Sequence, residues 1–125
     1  YVRAIRFSAP PDNAVSAFQK LGSRSYLVIS IAMVAGSLSV DDRGLVDRVA
    51  LALGACSPVA SRLTRVESSL AGHPLTRALV DRVSHDAVAA AVRPIDDVRA
   101  SADYRVKAAY QLVRDTVAQM LEHTV

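Results

Sequence analysis

The densest concentration of reactive side chains is the run RPIDDVRASADYR, Arg93 to Arg105. It sets three aspartates, three arginines, a serine and a tyrosine between two alanine-rich stretches. Paired carboxylates can do acid–base work or hold a divalent cation. Both chemistries need oxygens that converge from different elements. Asp96 and Asp97 are chain neighbours instead, so neither a catalytic nor a metal-binding role is expected for them. Two other roles fit. The run can satisfy its own backbone and pin two helices, or it can present a docking surface to another domain or subunit. Ser101 is placed to cap a following helix, accepting from an N–H two or three residues on. Asp103 then falls in the first turn, where negative charge complements the helix dipole. Asp96 and Asp97 can accept from loop amides, with Arg99 and Arg105 near enough to pair with them. Tyr104 offers an apolar ring with a polar tip, suited to a half-buried joint. The residues singled out for docking or structure are Asp97, Arg99, Ser101, Tyr104 and Arg105.

The remaining candidates are sparse. Cys56 is the single cysteine, so no disulfide can form within the chain, which fits a reducing, cytoplasmic setting. Between Ala55 and Ser57 it reads as a small buried residue, and no histidine is placed in sequence to activate it. His73, His85 and His123 fit no zinc spacing. The five glycines, at 22, 36, 44, 54 and 72, are scattered, whereas a phosphate nest gathers several in one loop.

The elements that must position these residues follow from periodicity. YVRAIRF alternates and reads as a short strand rather than the apolar core of a leader peptide. SAPPDN is a loop. AVSAFQKLG reads as a second strand ending at Gly22. Tyr26 to Val40 is the most apolar stretch, too short for a membrane span of about 20 residues. Its β-branched residues favour a strand buried on both faces, with room for a helical start. Asp41 to Gly44 supplies turn chemistry, and LVDRVALALG returns as the partner of a long antiparallel hairpin. After Pro58 the period becomes helical: Leu63, Val66 and Leu70 up to Gly72, then Leu79, Val83 and Ala87 with Thr76 as the cap and Pro94 as the stop. The last helix carries Val106, Ala109, Tyr110, Val113, Val117 and Met120 as one stripe.

Strands first and helices after mean α+β, with a helix layer against one antiparallel sheet. At 125 residues and 51% hydrophobic content, one domain with a well-supplied core is expected. Aromatics are 5% and net charge is +3, with basic and acidic residues interleaved. That argues against stacked-base recognition and a nucleic-acid stripe.

Four segments in order, SAFQKLGSRSYLVISIAMVAGSL, VALALGACSPVASRL, SSLAGHPL and PIDDVRASADYR, together resemble the C-terminal domain of the FAD-binding medium subunit of molybdenum hydroxylases, the xanthine dehydrogenase and carbon monoxide dehydrogenase family. The match covers nearly the whole chain, and the most specific part is Pro94 to Arg105. The resemblance implies a three-stranded antiparallel sheet followed by a three-helix layer, occupying 1–125 as a single domain. It implies a function as part of an oxidoreductase, not catalytic alone. In such an enzyme electrons pass from molybdenum through two iron–sulfur clusters to FAD and on to an acceptor. The FAD would be held mainly by an upstream FAD-binding domain absent from this chain. Iron–sulfur clusters and molybdopterin would reside in partner subunits, onto which the domain docks while covering the flavin edge. Peripheral FAD contacts carry over to Val2, at the end of the first strand, and to the Phe18–Gln19–Lys20 stretch, with Lys20 offering its ammonium. Arg24 falls in a basic stretch that lies towards the flavin side in relatives. Ser8 stands where relatives often carry proline. The alternative is a free-standing, non-catalytic module of the same fold that binds a protein or an anion.

Overall fold

A computed structural model describes residues 1–123. Thr124 and Val125, inside the expected domain span, lie outside the described residues. Four strands, β1 (Val15–Leu21), β2 (Ala32–Val40), β3 (Val46–Gly54) and β4 (Ser61–Arg62), form one antiparallel sheet in sequential order. Three α-helices follow: α1 (Thr64–Leu70), α2 (His85–Ala90) and α3 (Ala102–Glu122), with a 3-10 helix at Arg77–Arg82 between the first two.

The β2–β3 hairpin turns through Asp41–Gly44, as its turn chemistry predicts. Asp41 accepts from the N–H of Arg43 and of Leu45, and Gly44 takes the left-handed φ of 75° that glycine adopts without a Cβ clash. One face of the sheet is apolar because β2 alternates: Ala32, Val34, Gly36 and Leu38 are buried. α3 lies across that face over β1 and β2, while α1 packs on β3. The α3 stripe of Ala109, Val113, Val117 and Met120 is buried against it. A Cβ at Gly36 would stand 3.0 Å from side-chain carbons of Leu51, Thr116 and Met120. Glycine there lets the long helix come close to the middle of the sheet.

Four expectations are corrected. Tyr1–Phe7 is not a strand; residues 1–10 carry no regular secondary structure and are exposed. Alternation alone does not make a strand, because its N–H and C=O groups need a neighbouring ladder, and among the described residues none pairs with it. The first strand is therefore β1, inside the AVSAFQKLG run. The apolar Tyr26–Val40 stretch is strand only from Ala32; the residues before it form a loop that exposes Tyr26, Leu27 and Ile29 and buries Ile31. Finally, the expected long helix from Thr76 to Val92 is broken. Val83 is extended (φ −71°, ψ 108°), and Ser84 caps α2 by accepting from the N–H of Ala87. The serine offers a local hydrogen bond that competes with helix continuation. Thr76 occupies the cap position of the 3-10 helix without making a side-chain cap bond. The sheet also gains the two-residue β4, so strand count exceeds the expected three.

Candidate functional site: the loop end of the sheet

The run that opens α3 folds into a single network around Arg105. Ser101 caps the helix, its Oγ accepting from the N–H of Tyr104, and Asp96 accepts from the N–H of Ala102 at 2.7 Å. Two of the helix's orphan donors are thereby satisfied. The cap fixes the first turn and sends Arg105 toward the end of the sheet, where it is only 3% exposed. Its Nη1 donates to the carbonyl of Ile31 at 2.6 Å and to that of Ala55 at 3.2 Å; its Nη2 donates to Asp97 Oδ1 at 2.8 Å. One guanidinium thus ties together the lead into β2, the exit of β3 and the loop before α3. Its Nε is buried and has no acceptor.

Asp97 organises the loop from the other side. It accepts from the N–H of Arg99 and of Ala100 and pairs with Arg99 Nη1 at 2.8 Å. Its carboxyl is held well below the usual carboxylate range. The Arg99 N–H contributes most, partial desolvation opposes, and the two guanidinium groups and the Ala100 N–H add to the lowering. These are the charge-assisted bonds that favour an ionised carboxylate. The structure therefore brings Asp97, Arg99, Ser101 and Arg105 together, as their spacing suggested. Tyr104 stands beside them about half exposed. Asp103 faces solvent and pairs with Lys107 one turn on.

Lys20 lies near the end of β1, and Arg24 sits on the β1–β2 loop that follows. Lys20 Nζ donates to the carbonyl of Val28 at 2.8 Å and Arg24 Nη2 to that of Leu27 at 2.6 Å. The loop is closed by the Ile31 N–H on the Leu21 carbonyl. Lys20 shares the outer face of β1 with Phe18, both exposed. Val2 lies in the irregular N-terminal segment, outside this network.

Several participants have no sequence signal. Ile31 and Ala55 act through backbone carbonyls, which any residue supplies. Cys56 is buried beside them, with burial pushing its thiol pKa up. Ser57 Oγ donates to the Cys56 carbonyl and accepts from the N–H of Arg93. A cavity of about 280 Å³ opens here among Ile29, Cys56, Pro58, Ile95, Asp97 and Arg105. Elsewhere, Glu67 on α1 accepts from the N–H of Leu51 and from both Nε and Nη2 of Arg62, each at 2.8 Å.

Among the described residues, no group of three His, Cys, Asp or Glu side chains is placed to hold a metal ion. No helix among them is long and apolar enough to cross a membrane. A dinucleotide would need a cradle for two phosphates. The positive-φ glycines, Gly44 and Gly72, stand in separate turns, and space at Gly22 is filled by the side chain of Val28. Among the described residues, the glycines do not gather into such a cradle.

Residues 16–120 match the family model described as the CO dehydrogenase flavoprotein C-terminal domain. A comparison with curated protein sequences finds no match. Among solved structures, the reconstituted CO dehydrogenase from Oligotropha carboxidovorans is similar over 90% of this chain and 38% of its own, with TM-score 0.79 and 23% identity. The CO dehydrogenase from Hydrogenophaga pseudoflava that lacks the Mo-pyranopterin moiety of the molybdenum cofactor gives 0.77 and 27%, over 88% and 37% of the two chains. Quinoline 2-oxidoreductase from Pseudomonas putida 86 gives 0.78 and 19%, over 92% and 39%. This chain spans less than two fifths of the length of each of these proteins.

Proposed function

The chain belongs to the CO dehydrogenase flavoprotein C-terminal domain family, and from that premise we propose that it is the C-terminal domain of the FAD subunit of a molybdenum hydroxylase oxidoreductase. Its role is to cover the flavin edge and to dock the subunit onto iron–sulfur and molybdopterin partners during electron transfer. The observation that carries this reading is the family match over residues 16–120 in a chain that spans under two fifths of its structural neighbours. FAD would be held mainly by a preceding domain, and the whole would work in the cytoplasm. Bound FAD supplies the two-electron chemistry that links the metal centres to an acceptor.

In this reading the chain's own residues bind and orient. An ammonium has three donors, and Lys20 spends one on Val28. Two remain for a phosphate or a flavin oxygen, as charge-assisted hydrogen bonds. Phe18 extends the same exposed face with an apolar ring. Val2 would touch the cofactor from the N-terminal segment. Arg24 holds the loop beside Lys20 by its bond to Leu27. Asp97, Arg99, Ser101, Tyr104 and Arg105 shape the loops on which docking depends.

The test is purification of the native assembly through a tag on this chain, with flavin, iron and molybdenum quantified together. All three should co-purify in fixed ratio. A chain that purifies from its native source without any of them would be the free-standing module instead. The folded chain alone should bind FAD weakly or not at all, followed by flavin fluorescence; stoichiometric binding at micromolar concentration would overturn the assignment of the cofactor to a preceding domain.

A further inference from the structure

We propose that the loop end of the sheet is a docking groove for an extended, acidic segment of a partner polypeptide, which seats one apolar side chain in the cavity between Ile29 and Ile95. The inference rests on the assembly reading above only in taking the domain to work bound to another polypeptide, and it names the face and the partner's chemistry.

Size comes first. The deepest part of the depression holds about 280 Å³. It suits a side chain. A shallower groove of about 370 Å³ shares Ile29 and Arg99 with the cavity and continues to Leu27 and Arg24. The two form one elongated depression, the shape that an extended segment fills.

The rim is apolar. Ile29, Ile95 and Leu27 line the depression while remaining largely exposed, and Val59 and Val98, chain neighbours of the lining residues Pro58, Asp97 and Arg99, are exposed as well. One exposed aliphatic residue needs no explanation. Five on three loops around one cavity mark an interaction surface. The loops are also held against a local penalty. Leu27 (φ 48°) and Ala55 (φ 65°) are the two non-glycine residues of positive φ among those described, and such conformations persist where the surroundings enforce them. Lys20 and Arg24 clamp the first through the adjacent carbonyls, so Leu27 is presented to solvent at 94% exposure. Arg105 clamps the second through its carbonyl.

Charge selects the partner. Arg24, Arg93, Arg99 and Arg105 line the depression against Asp97 alone. Four positive charges less one negative leave three positive. Both oxygens of Asp97 are already engaged. With Asp97 saturated, the positive charge of Arg24, Arg93 and Arg99 around the depression has no acidic side chain of its own there to offset it. The complement is therefore apolar at its centre and acidic at its flanks, which gives electrostatic specificity around an apolar anchor.

The experiment is a titration of the isotopically labelled chain, read by amide chemical shifts. Three blocked hexapeptides serve as probes: two central leucines flanked by glutamates, the same leucines flanked by lysines, and two central serines flanked by glutamates. The leucine–glutamate peptide should give saturating shifts at Ile29, Ala55, Ile95 and Val98. The other two should bind at least about tenfold more weakly, since each lacks one of the two complementary features. Val98→Asp and Ile95→Asp, both at exposed positions, should keep the spectrum elsewhere and weaken binding about tenfold. Equal binding of the lysine peptide, no saturating shift at these amides, or unaltered binding by both variants would each overturn the proposal. The assembly reading is judged separately. Flavin and metals that co-purify while the groove binds nothing would sink the groove alone; a groove that binds in a chain free of flavin and metals would sink the assembly reading alone.

Discussion

Replacing Arg105 by alanine should be among the most damaging single changes at the loop end of this domain, and Arg99 is the control that gives the comparison meaning. Arg105 is 3% exposed and makes three hydrogen bonds from its two terminal nitrogens. Arg105→Ala removes all of them and the packed aliphatic stem. The carbonyls of Ile31, which keeps only the weak Cys56 Sγ–H donor, and of Ala55 lose a charged donor, at about 1–3 kcal/mol for each polar group left poorly paired. The Asp97 carboxylate keeps Arg99 and two amides and is partly exposed, so it is not stranded. The two carbonyls and the lost stem packing together put the loss at about 3–5 kcal/mol. Arg99 bonds the same carboxylate at the same 2.8 Å, yet its side chain is 40% exposed. Its loss falls under the surface arithmetic of about 0–1 kcal/mol. For a domain of this size roughly 3–5 °C accompanies each kcal/mol. Arg105→Ala should therefore melt about 10–25 °C below the wild type and Arg99→Ala within about 5 °C of it, read by circular dichroism. Equal melting temperatures for the two variants would refute the claim that burial, and not distance, decides which arginine matters.

Glu67→Ala should cost about 1.5–3 kcal/mol, because the carboxylate is the partner of the Leu51 N–H and of Arg62 and bonds to charged groups are the stronger class; urea melts check it, and a loss under about 0.5 kcal/mol would dismiss the bridge. Asp97→Asn should lower stability in a pH-dependent way. The Asp97 pKa is depressed in the folded state, so its contribution is complete above the unfolded value of about 3.9 and is lost as pH falls through the folded value. The melting gap between wild type and variant should be widest near neutrality and narrow below about pH 4; a gap constant from pH 7 to about pH 3 would contradict the assignment. Lys20→Ala should shift the chain's own stability by no more than about 0.5–1 kcal/mol, since its bond to Val28 is exposed. In the complete assembly it should lower flavin content or slow the oxidative half-reaction while the reductive half stays normal; unchanged flavin and unchanged half-reactions would leave Lys20 a loop clamp only.

What could be read in the sequence was whatever rests on local pattern. The α3 stripe, the Ser101 cap and the Asp41–Gly44 turn are written in spacing and residue type, and the fold places them there. The Asp97–Arg99–Arg105 pairing was legible because its members lie within nine residues. What was hidden is non-local. Arg105 draws its other partners from carbonyls 74 and 50 positions away, and a carbonyl leaves no mark in a sequence. Glu67 reads as an ordinary helix residue until β3 is laid beside α1. The break at Ser84 and the irregular Tyr26–Ile31 loop were misread for one reason. Apolar periodicity reports burial or potential burial, and here a side-chain cap and a clamped loop overrode it.

The arrangement of arginines suggests how the two surfaces of the domain are related. Leu21 and Ile31 bond to each other, so residues 22–30 form a closed loop. Lys20 fastens its interior from β1 and Arg24 from within the loop, and Arg105 fastens its exit at Ile31 from the α3 side. The outer strand face that carries Phe18 and Lys20 and the groove that carries Ile29 and Ile95 therefore share this loop as a common wall. Loosening Arg105 leaves the Ile31 carbonyl with only the weak Cys56 Sγ–H donor, and the loop that Lys20 leans on loses its second strong anchor. A conservative change, Arg105→Lys, keeps the charge but cannot reach three acceptors with fork geometry. It should leave the fold intact at a smaller cost than alanine and still slacken the loop. Faster hydrogen exchange of the Ile31 amide that closes the loop onto Leu21, with α3 from Ala109 onward protected as in the wild type, is the expected signature. Protection unchanged at that amide would mean that Lys20 and Arg24 hold the loop alone, and the two surfaces would then be independent.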